Sequence, residues 1–418
     1  MTSAVTAPRQ DRLPSLTGMR MAAALMVFCF HVYAVGIFAS AGINAVLAHS
    51  ASEGVIGVTF FFILSGFILV WTARDGDTLG RFWRRRFVKV VPNHLVTWAV
   101  ALVFLSLTAL TLTGGFDLWG ADSIPALFLV QDWVPRAGVF FSMNIPSWSL
   151  GCEAFFYLLF PFSLRLVVKI KPQYLWPGVV ALIAIIWCVP LIADSVFHGG
   201  QPVPGLPVTE DRMWFVYCLP PVRFLEFLLG MLLARIVQAG RWIPIGLWPA
   251  TALALAGYVG SSYLPYLYGL VAGAVIPLAL IVPTAAIADL TGQSSPWRGR
   301  VMLWLGNVSF AFYLVHQLTI RWVHDAFGAT RSFGTAEALG VTVLILAAAL
   351  AAATVLYYGI EKPLVKRFSK SRRAVRTTGP INANNSGDTI NAGDVSKAAG
   401  APHPAAPPVR ALPSAEAG

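Results

Sequence analysis

Long apolar segments follow one another along this chain, separated by short polar stretches that are rich in arginine and lysine. A helix needs about 20 mostly apolar residues to cross the hydrocarbon core of a bilayer. The pattern predicts ten such spans, at residues 16–38, 54–73, 92–113, 146–168, 174–193, 213–234, 243–262, 266–288, 301–323 and 337–359. The predicted fold class is therefore all-α, a polytopic membrane helix bundle of about ten transmembrane helices.

The composition and the distribution of charge agree with a membrane protein. Hydrophobic residues make up 57% of the 418 residues and charged residues only 12%, whereas soluble domains contain about 25% charged residues. The net charge of +11 could suggest a nucleic-acid partner. The basic residues lie between the apolar segments, however, and we therefore expect a lipid bilayer and no nucleic acid.

The positions of lysine and arginine also predict the topology. With an even number of spans both termini lie on one side, and the segments on that side carry 23 basic residues against three in the opposite loops. Because basic residues concentrate in cytoplasmic loops, we expect both termini in the cytoplasm, in the inner (plasma) membrane of a bacterium. The predicted organisation is a short cytoplasmic segment 1–15, a transmembrane domain 16–368, and a basic, then disordered cytoplasmic tail 369–418.

The first span carries two ionisable residues, Arg20 and His31. An ionisable residue inside a span is costly and marks a functional site by default. At about 100° per residue, a separation of eleven positions puts both on nearly the same helix face, roughly 16 Å apart. His31 is the candidate general base, because a neutral imidazole can take a proton from a hydroxyl near pH 7. The alternative is a buried histidine that only bonds a carbonyl or hydroxyl.

Other polar residues recur at helical spacings inside the spans. Glu153 and Tyr157 are four apart, and Arg223 and Glu226 are three apart, so each pair can interact on one helix face. For Arg223 and Glu226 a structural ion pair and a role in substrate binding both remain open.

Two neighbouring residues of the ninth span, His316 and Gln317, are further candidates. Gln317 lies four residues before Arg321, and the two can line the outer end of a cavity. For His316, a packing role and a role in binding substrate both remain open. The four cysteines form no metal-ligand spacing, so we expect no metal and no tightly bound cofactor.

The outer loop 114–145 is the longest connection between the predicted spans. It contains Asp117, Asp122 and Asp132 beside Trp119 and Trp133. Such a loop can cover a cavity or bind a substrate, and the alternative is an ordinary solvated loop with interfacial tryptophans.

Seven short motifs, in order, carry a resemblance to a known family. They are Leu16–Arg20 followed by His31, Gly57–Phe67, Arg86–Pro92, Trp148–Pro161, Arg223–Gly230, Leu305–His316 and Glu361–Pro363. Together they resemble the integral membrane acyltransferase-3 family over about residues 13 to 368. The chain departs from the family pattern at Lys89, Thr59 and Ala154, where the family often has Arg, Asp and Glu.

This resemblance implies a stand-alone membrane O-acyltransferase. It would move an acyl group from cytoplasmic acyl-CoA, a substrate, to a hydroxyl of a sugar, a glycoconjugate or a glycosylated natural product such as a macrolide. His31 and Glu153 would be catalytic, and Arg86 and Lys89 would hold the phosphates of coenzyme A, unless they serve only as a topology signal. The other residues expected to bind substrate are Arg20, Tyr157, Arg223, Glu226, His316 and Gln317.

A second function remains open from the sequence. Buried charges also line the pathways of transporters, so the alternative is a transporter or flippase for a polar lipid or glycan. The chain has no internal repeat of the kind from which many transporters are built.

Overall fold

The computed structural model describes residues 13–74, 76–108, 122–328 and 331–368. Most of the predicted segment 1–15 and the whole predicted tail 369–418 lie outside these ranges. Within them the chain forms α-helices joined by short 3₁₀ and π turns and no strand. The helices are α1 (Pro14–Val35), α2 (Ala41–Ser50), α3 (Ile56–Trp71), α4 (Leu79–Thr108), α5 (Ile124–Leu127), α6 (Ala137–Phe140), α7 (Trp148–Val167), α8 (Leu175–Val196), α9 (Glu210–Met213), α10 (Pro220–Gln238), α11 (Leu247–Ser261), α12 (Tyr266–Leu270), α13 (Ala272–Leu290), α14 (Arg300–Ala326), α15 (Thr335–Leu356) and α16 (Lys362–Phe368).

Nine helical segments in the described ranges are long and apolar enough to cross a membrane. They are Pro14–Val35, Ala41–Trp71, Leu79–Phe104, Ile145–Val167, Pro172–Val196, Glu210–Gln238, Tyr266–Leu290, Arg300–Ala326 and Thr335–Phe368. The remaining predicted span, 243–262, corresponds to α11, whose 15 residues are fewer than the roughly 20 that a span needs. The chain is an all-α polytopic membrane protein, as predicted.

The third span begins earlier than its apolar pattern indicates. The sequence predicts a span at 92–113, whereas α4 starts at Leu79 and includes the arginine-rich stretch before Pro92. The end of the predicted span lies outside the described residues. A helix that starts before the apolar run places Arg86 and Lys89 on successive positions of one face, one turn apart.

The centre of the bundle is the contact between α3 and α10. A Cβ on Gly66 would overlap the carbonyl oxygen of Phe227, and a Cβ on Gly230 would overlap the carbonyl oxygen of Ile63. Glycine at both positions therefore lets the two backbones touch, a packing mode that small residues permit between membrane helices.

The first helix begins in a buried polar clamp. The Ser15 amide donates to Asp289 Oδ2 at 2.8 Å, and the Ser15 hydroxyl donates to Asp289 Oδ1 at 2.7 Å. A carboxylate at the first turn also interacts favourably with the positive end of the helix dipole. Further along α1, Gly306 of α14 allows the Thr17 carbonyl to approach closely. These contacts fix the axial position of the helix that carries both ionisable residues of the first span.

Residues 122–147, called here the cap segment, fold onto one end of the bundle. Gln131 Nε2 donates to the Ser147 carbonyl at 3.1 Å, and Asn144 Nδ2 donates to the Leu314 carbonyl at 2.9 Å. The described part of the predicted outer loop is therefore packed structure that covers the bundle, one of the two alternatives that the sequence left open.

The aspartates of this loop have different environments. Asp132 is completely buried, whereas Asp122 forms an exposed ion pair with Arg136. Asp117 and Trp119 lie outside the described residues. Burial raises the pKa of the Asp132 carboxyl well above its usual range, and the adjacent Cys152 thiol and amide offset this only in part.

Candidate active site

A charged cavity of about 140 Å³ lies between α1, α3, α4, α7 and α14. Its apolar wall includes Leu16, Phe61 and Leu64, and its polar lining consists of Arg20, Ser65, Arg86, Lys89, Glu153 and Tyr157. Five residues that the sequence singled out on three separate helices thus share one cavity.

The polar groups of the charged cavity form a connected network. The Tyr157 hydroxyl donates to Glu153 Oε2 at 2.9 Å, one helical turn away. The Arg86 guanidinium carbon lies 5.5 Å from the centre of the Tyr157 ring, within range of a cation–π interaction. Lys89 interacts electrostatically with Arg20, Arg86 and Glu153.

One further carboxylate reaches this network from another helix. Glu361, which is buried, interacts electrostatically with Lys89 and accepts a hydrogen bond from Asn93 Nδ2 at 2.8 Å. Three cationic side chains therefore face two carboxylates. With all five ionised the network keeps a surplus positive charge, which favours an anionic ligand.

A second cavity of about 370 Å³, called here the basic groove, adjoins the charged cavity and shares Leu69 and Arg86 with it. Arg74, Arg85 and Arg165 also line it. The sequence offered no reason to distinguish these three from other basic residues of the topology signal. Their convergence with Arg86 gives the groove four guanidinium groups, the side chain best suited to bidentate contacts with phosphate.

One acidic residue faces the arginines of the basic groove. Asp77 lines the groove and forms an ion pair with Arg85. Hydrogen bonding to the Arg85 guanidinium holds the pKa of the Asp77 carboxyl below its usual range. Arg85 is thereby partly neutralised, while Arg74 and Arg165 have no carboxylate partner among the described ion pairs.

A large cavity of about 650 Å³ lies beneath the cap segment, whose Ile145 and Pro146 form part of its wall. His31 lines it together with Gln317 and Arg321. Most of its remaining wall is aromatic or aliphatic, contributed by Phe30, Phe141, Trp148, Met213, Tyr217 and Tyr266. A few polar groups set in a mostly apolar wall are typical of a binding site for a small organic molecule.

The His316 ring lies next to the His31 ring. The two ring centroids are 5.2 Å apart, and His316 Nδ1 lies 2.7 Å from the Tyr313 carbonyl. His316 is fully buried and is not among the residues that line the charged or the large cavity.

The charged cavity and the large cavity are separated by an aromatic pair. Phe61 lines the charged cavity, Tyr313 lines the large one, and their ring centroids are 5.8 Å apart in an edge-to-face arrangement. The Tyr313 hydroxyl is held by Ser149 Oγ at 2.9 Å and by the Pro146 carbonyl at 3.2 Å. Phe61 and Tyr313 therefore form a partition between the two cavities. Tyr313 is the more firmly held of the two, because its hydroxyl is hydrogen-bonded.

Arg223 and Glu226 lie outside both of these cavities. They form an ion pair at 2.8 Å, and both side chains are almost completely buried. The Arg223 guanidinium packs against Phe62 and Tyr217 with centroid distances of 5.1 Å each. The pairing expected from their spacing is confirmed, and Arg223 supports Tyr217, which forms part of the wall of the large cavity.

A further histidine, His94 of α4, bonds the backbone of the cap segment. Its Nε2 lies 2.9 Å from the Ala126 carbonyl and 3.3 Å from the Leu127 carbonyl, so it ties the cap segment to α4. No group of three metal-binding side chains occurs in the part of the chain that the structure describes.

Several residues of the site carry no signal in the sequence. Tyr217 and Tyr266 belong to apolar segments in which aromatic residues are common, and Arg85 and Arg165 look like any cytoplasmic basic residue. Glu361 belongs to one of the seven motifs, but only the structure connects it to Lys89.

Comparison with known proteins identifies the chemistry that this architecture serves. A family model described as an acyltransferase domain matches residues 13–358. The chain is 40% identical over 375 residues to Acyltransferase MdmB of Streptomyces mycarofaciens, an alignment that covers 88% of this chain and 96% of that protein.

Two more distant relatives are named for polysaccharides. The chain is 26% identical over 332 residues to the exopolysaccharide production protein ExoZ of Rhizobium meliloti, with 78% of this chain and 93% of that protein covered. It is 25% identical over 334 residues to the peptidoglycan O-acetyltransferase OatA of Listeria monocytogenes, with 73% of this chain and 49% of that protein covered. No solved structure matches the fold. The chain thus belongs to the integral membrane acyltransferase-3 family and is a membrane O-acyltransferase.

Proposed function

We propose that this protein transfers an acyl group from acyl-CoA, held in the basic groove and the charged cavity, to a hydroxyl of an acceptor in the large cavity. The observation that carries the proposal is the position of His31. It lines the cavity with the chemistry of a small-molecule site, and the contact between Tyr313 and Phe61 joins the wall of that cavity to the wall of the charged cavity.

The positive charge of the basic groove supports its assignment to the donor, acyl-CoA. The four arginines of the basic groove suit the phosphates of coenzyme A. The narrower charged cavity continues from the groove through Arg86 towards the partition, and it would receive the pantetheine arm with its thioester. In this arrangement Arg20, Lys89 and Glu153 surround the arm, and Tyr157 supports both Glu153 and Arg86.

The size and the apolar wall of the large cavity support its assignment to the acceptor. A volume of about 650 Å³ with an aromatic wall fits a bulky acceptor with an apolar body and a hydroxyl-bearing sugar, such as a glycosylated macrolide. Two relatives carry names that point to polysaccharides, but a strand of hydrated sugars would leave most of this wall without an apolar partner. Gln317, which lines the same cavity, would bond a sugar hydroxyl.

The reaction is a balanced acyl transfer. His31 takes the proton of the acceptor hydroxyl while the oxygen attacks the thioester carbonyl carbon. The new C–O bond forms the ester, the C–S bond breaks, and coenzyme A leaves as the thiolate, which takes up the proton from the His31 imidazolium. Holding both substrates in one bundle supplies the proximity that a two-substrate reaction needs.

The topology proposed with this reaction follows the distribution of basic residues. The basic groove is lined by residues of the basic segment 74–91, and this segment is expected to face the cytoplasm, where acyl-CoA is found. Labelling single cysteines introduced in 74–91 and in the cap segment tests it. Labelling of 74–91 from outside the cell would contradict this arrangement.

The decisive experiment compares His31→Gln with the wild type in purified form, using radiolabelled acetyl-CoA and a glycosylated macrolide. Because loss of a general base typically costs about 10²- to 10⁴-fold in rate, we expect transfer to fall by that order while acyl-CoA still binds. The matched control is His49→Gln, the same substitution at an exposed histidine of α2. Transfer by His31→Gln at the wild-type rate would show that the base lies elsewhere.

A further inference from the structure

The His316 side chain is buried among aromatic rings and has no access to the large cavity. Its ring is stacked on Phe312 at 5.8 Å and 18°, and the edge of the Phe28 ring approaches it from α1. The side chain is fully buried and does not line the large cavity. It therefore needs a role other than direct contact with an acceptor.

The hydrogen bond of one ring nitrogen determines the chemistry of the other. A carbonyl oxygen can only accept, so the short contact between Nδ1 and the Tyr313 carbonyl requires the proton of the neutral ring to be on Nδ1. Nε2 is then an acceptor. It is buried and has no hydrogen-bond partner among the described residues, an unfavourable state for a polar atom.

Only one of the rings described against His316 can donate to this nitrogen. Phe28 and Phe312 have no donor, and the Tyr313 hydroxyl is already bonded to Ser149 and to the Pro146 carbonyl. The His31 ring carries an N–H. Its centroid lies 5.2 Å from that of His316, and hydrogen bonds between catalytic groups are often long or poorly aligned until substrate binds.

We propose that His316 is a positioning residue for His31: in the complex with substrate the two neighbouring rings turn towards each other, and Nε2 of His316 accepts the N–H of the His31 ring. The other nitrogen of His31 is then unprotonated and faces the large cavity, where it can take the proton of the acceptor hydroxyl. The hydrogen bond also stabilises the imidazolium that forms during transfer, because a charged donor bonds more strongly than a neutral one. This inference rests on the proposed function, in which His31 is the base.

The charged environment of His31 is compatible with this role. The titratable side chains that interact electrostatically with His31 are His316 and Arg321, both on α14. The other titratable side chains that line the large cavity are Tyr217, Tyr266, Tyr313, His324 and Asp325. Among the described residues, no carboxylate bonds the His31 ring, so none is available to orient it in place of His316.

The test is a double-mutant cycle on acyl transfer, with kcat and the acceptor KM measured separately. His316→Phe keeps the stacking and removes the acceptor nitrogen. We expect kcat to fall at least about tenfold, as when an imidazole loses the residue that fixes its tautomer, with the acceptor KM within about twofold of the wild type. In a His31→Gln background the same substitution should have no further effect, because His316 acts through His31.

Two further variants separate positioning from packing. His316→Gln retains an oxygen that can accept and should keep more activity than His316→Phe; it also serves if the phenylalanine variant does not fold. Phe28→Leu disturbs the packing around His316 without removing the acceptor and should leave kcat near the wild-type value.

The outcomes for the two proposals differ. If His31→Gln is inactive while folded His316→Phe has the wild-type kcat, the proposed base stands and the positioning role is overturned. A further loss on adding His316→Phe to His31→Gln, or an equal loss in Phe28→Leu, would also overturn it. If His31→Gln is fully active, His31 is not the base, and the proposed mechanism and the positioning role both fail.

Discussion

The charged cavity and the large cavity share a partition but have opposite walls. The first concentrates three cations and two nearby carboxylates around about 140 Å³, whereas the second surrounds about 650 Å³ mostly with aromatic and aliphatic side chains. Charge inside a membrane protein is costly and is kept where it binds or reacts. The contrast indicates that one cavity recognises its ligand by charge and the other by shape.

Among the tests of this contrast between the cavities, the largest effect is expected on the charged side. Arg86→Ala removes the guanidinium that the charged cavity and the basic groove have in common. Because a hydrogen bond to a charged group contributes about 1.5–3 kcal/mol, we expect the apparent KM for acyl-CoA to rise by roughly 10- to 150-fold with the acceptor KM unchanged. Initial rates measured against each substrate in turn check this.

Two variants accompany this experiment. Lys89→Arg, which keeps the charge, should be tolerated, whereas Arg84→Ala, an exposed residue of the same helix turn, should leave both KM values at the wild-type level. Equal changes in the two KM values for Arg86→Ala would contradict a role in binding acyl-CoA. Arg86 would then be only part of the topology signal, and the two cavities would not differ in the ligand they bind.

A smaller effect is expected at the partition. Phe61 is the less firmly held side of the Phe61–Tyr313 pair, and it closes the charged cavity where the acyl group would lie. Phe61→Ala should admit longer acyl groups, and Phe61→Trp should favour acetyl over butyryl transfer by about 5- to 150-fold, the effect of 1–3 kcal/mol of overpacking. A series of acyl-CoA donors measures the ratio.

The matched control for the partition is Phe87→Trp, which changes an exposed phenylalanine of α4. If the acyl preference does not move in either Phe61 variant, Phe61 does not bound the acyl group, and the two cavities must communicate by another route.

The smallest effect concerns the cap segment over the large cavity. Because the folded-state pKa of Asp132 is raised by burial, the folded protein binds a proton there more tightly than the unfolded chain. Stability should therefore decrease as pH rises from about 4, the ordinary aspartate pKa, towards the folded-state value, and then level off. Asp132→Asn should abolish this dependence and raise thermal stability at neutral pH.

Thermal unfolding of the two proteins between pH 4 and pH 8 measures the effect. Asp122→Asn, in the exposed pair with Arg136, is the control, because exposed ion pairs contribute about 0–1 kcal/mol. A wild-type protein whose stability rises over this range would contradict the assignment.

Much of the architecture could be predicted from the sequence because membrane spans are defined by a one-dimensional property, the length of an apolar run. Nine of the ten predicted spans correspond to helices long enough to cross the bilayer. The prediction of a tenth span at 243–262 was wrong, because α11 is only 15 residues long. The start of α4 was missed because a helix can continue through a basic stretch that hydropathy excludes.

The site was predictable in part. Side chains that neighbour one another on a single helix, such as Glu153 with Tyr157 and Arg223 with Glu226, pair as their spacing indicates. Arg20 and His31 share a helix face, but the sequence gives no sign that Phe61 and Tyr313 divide the space beside them into two cavities. Such walls depend on contacts between distant segments.

The reciprocal glycines of α3 and α10 have a consequence for engineering the acceptor range. With Gly66 and Gly230 in backbone contact with the opposite helix, neither helix can slide or accept even an added methyl group without separating the pair. A mutational scan should find both glycines intolerant although neither lines the large cavity. Libraries that aim at new acceptors are therefore best confined to wall residues such as Tyr266 and Phe141, and a variant inactive at Gly66 should be scored for expression before it is scored for catalysis.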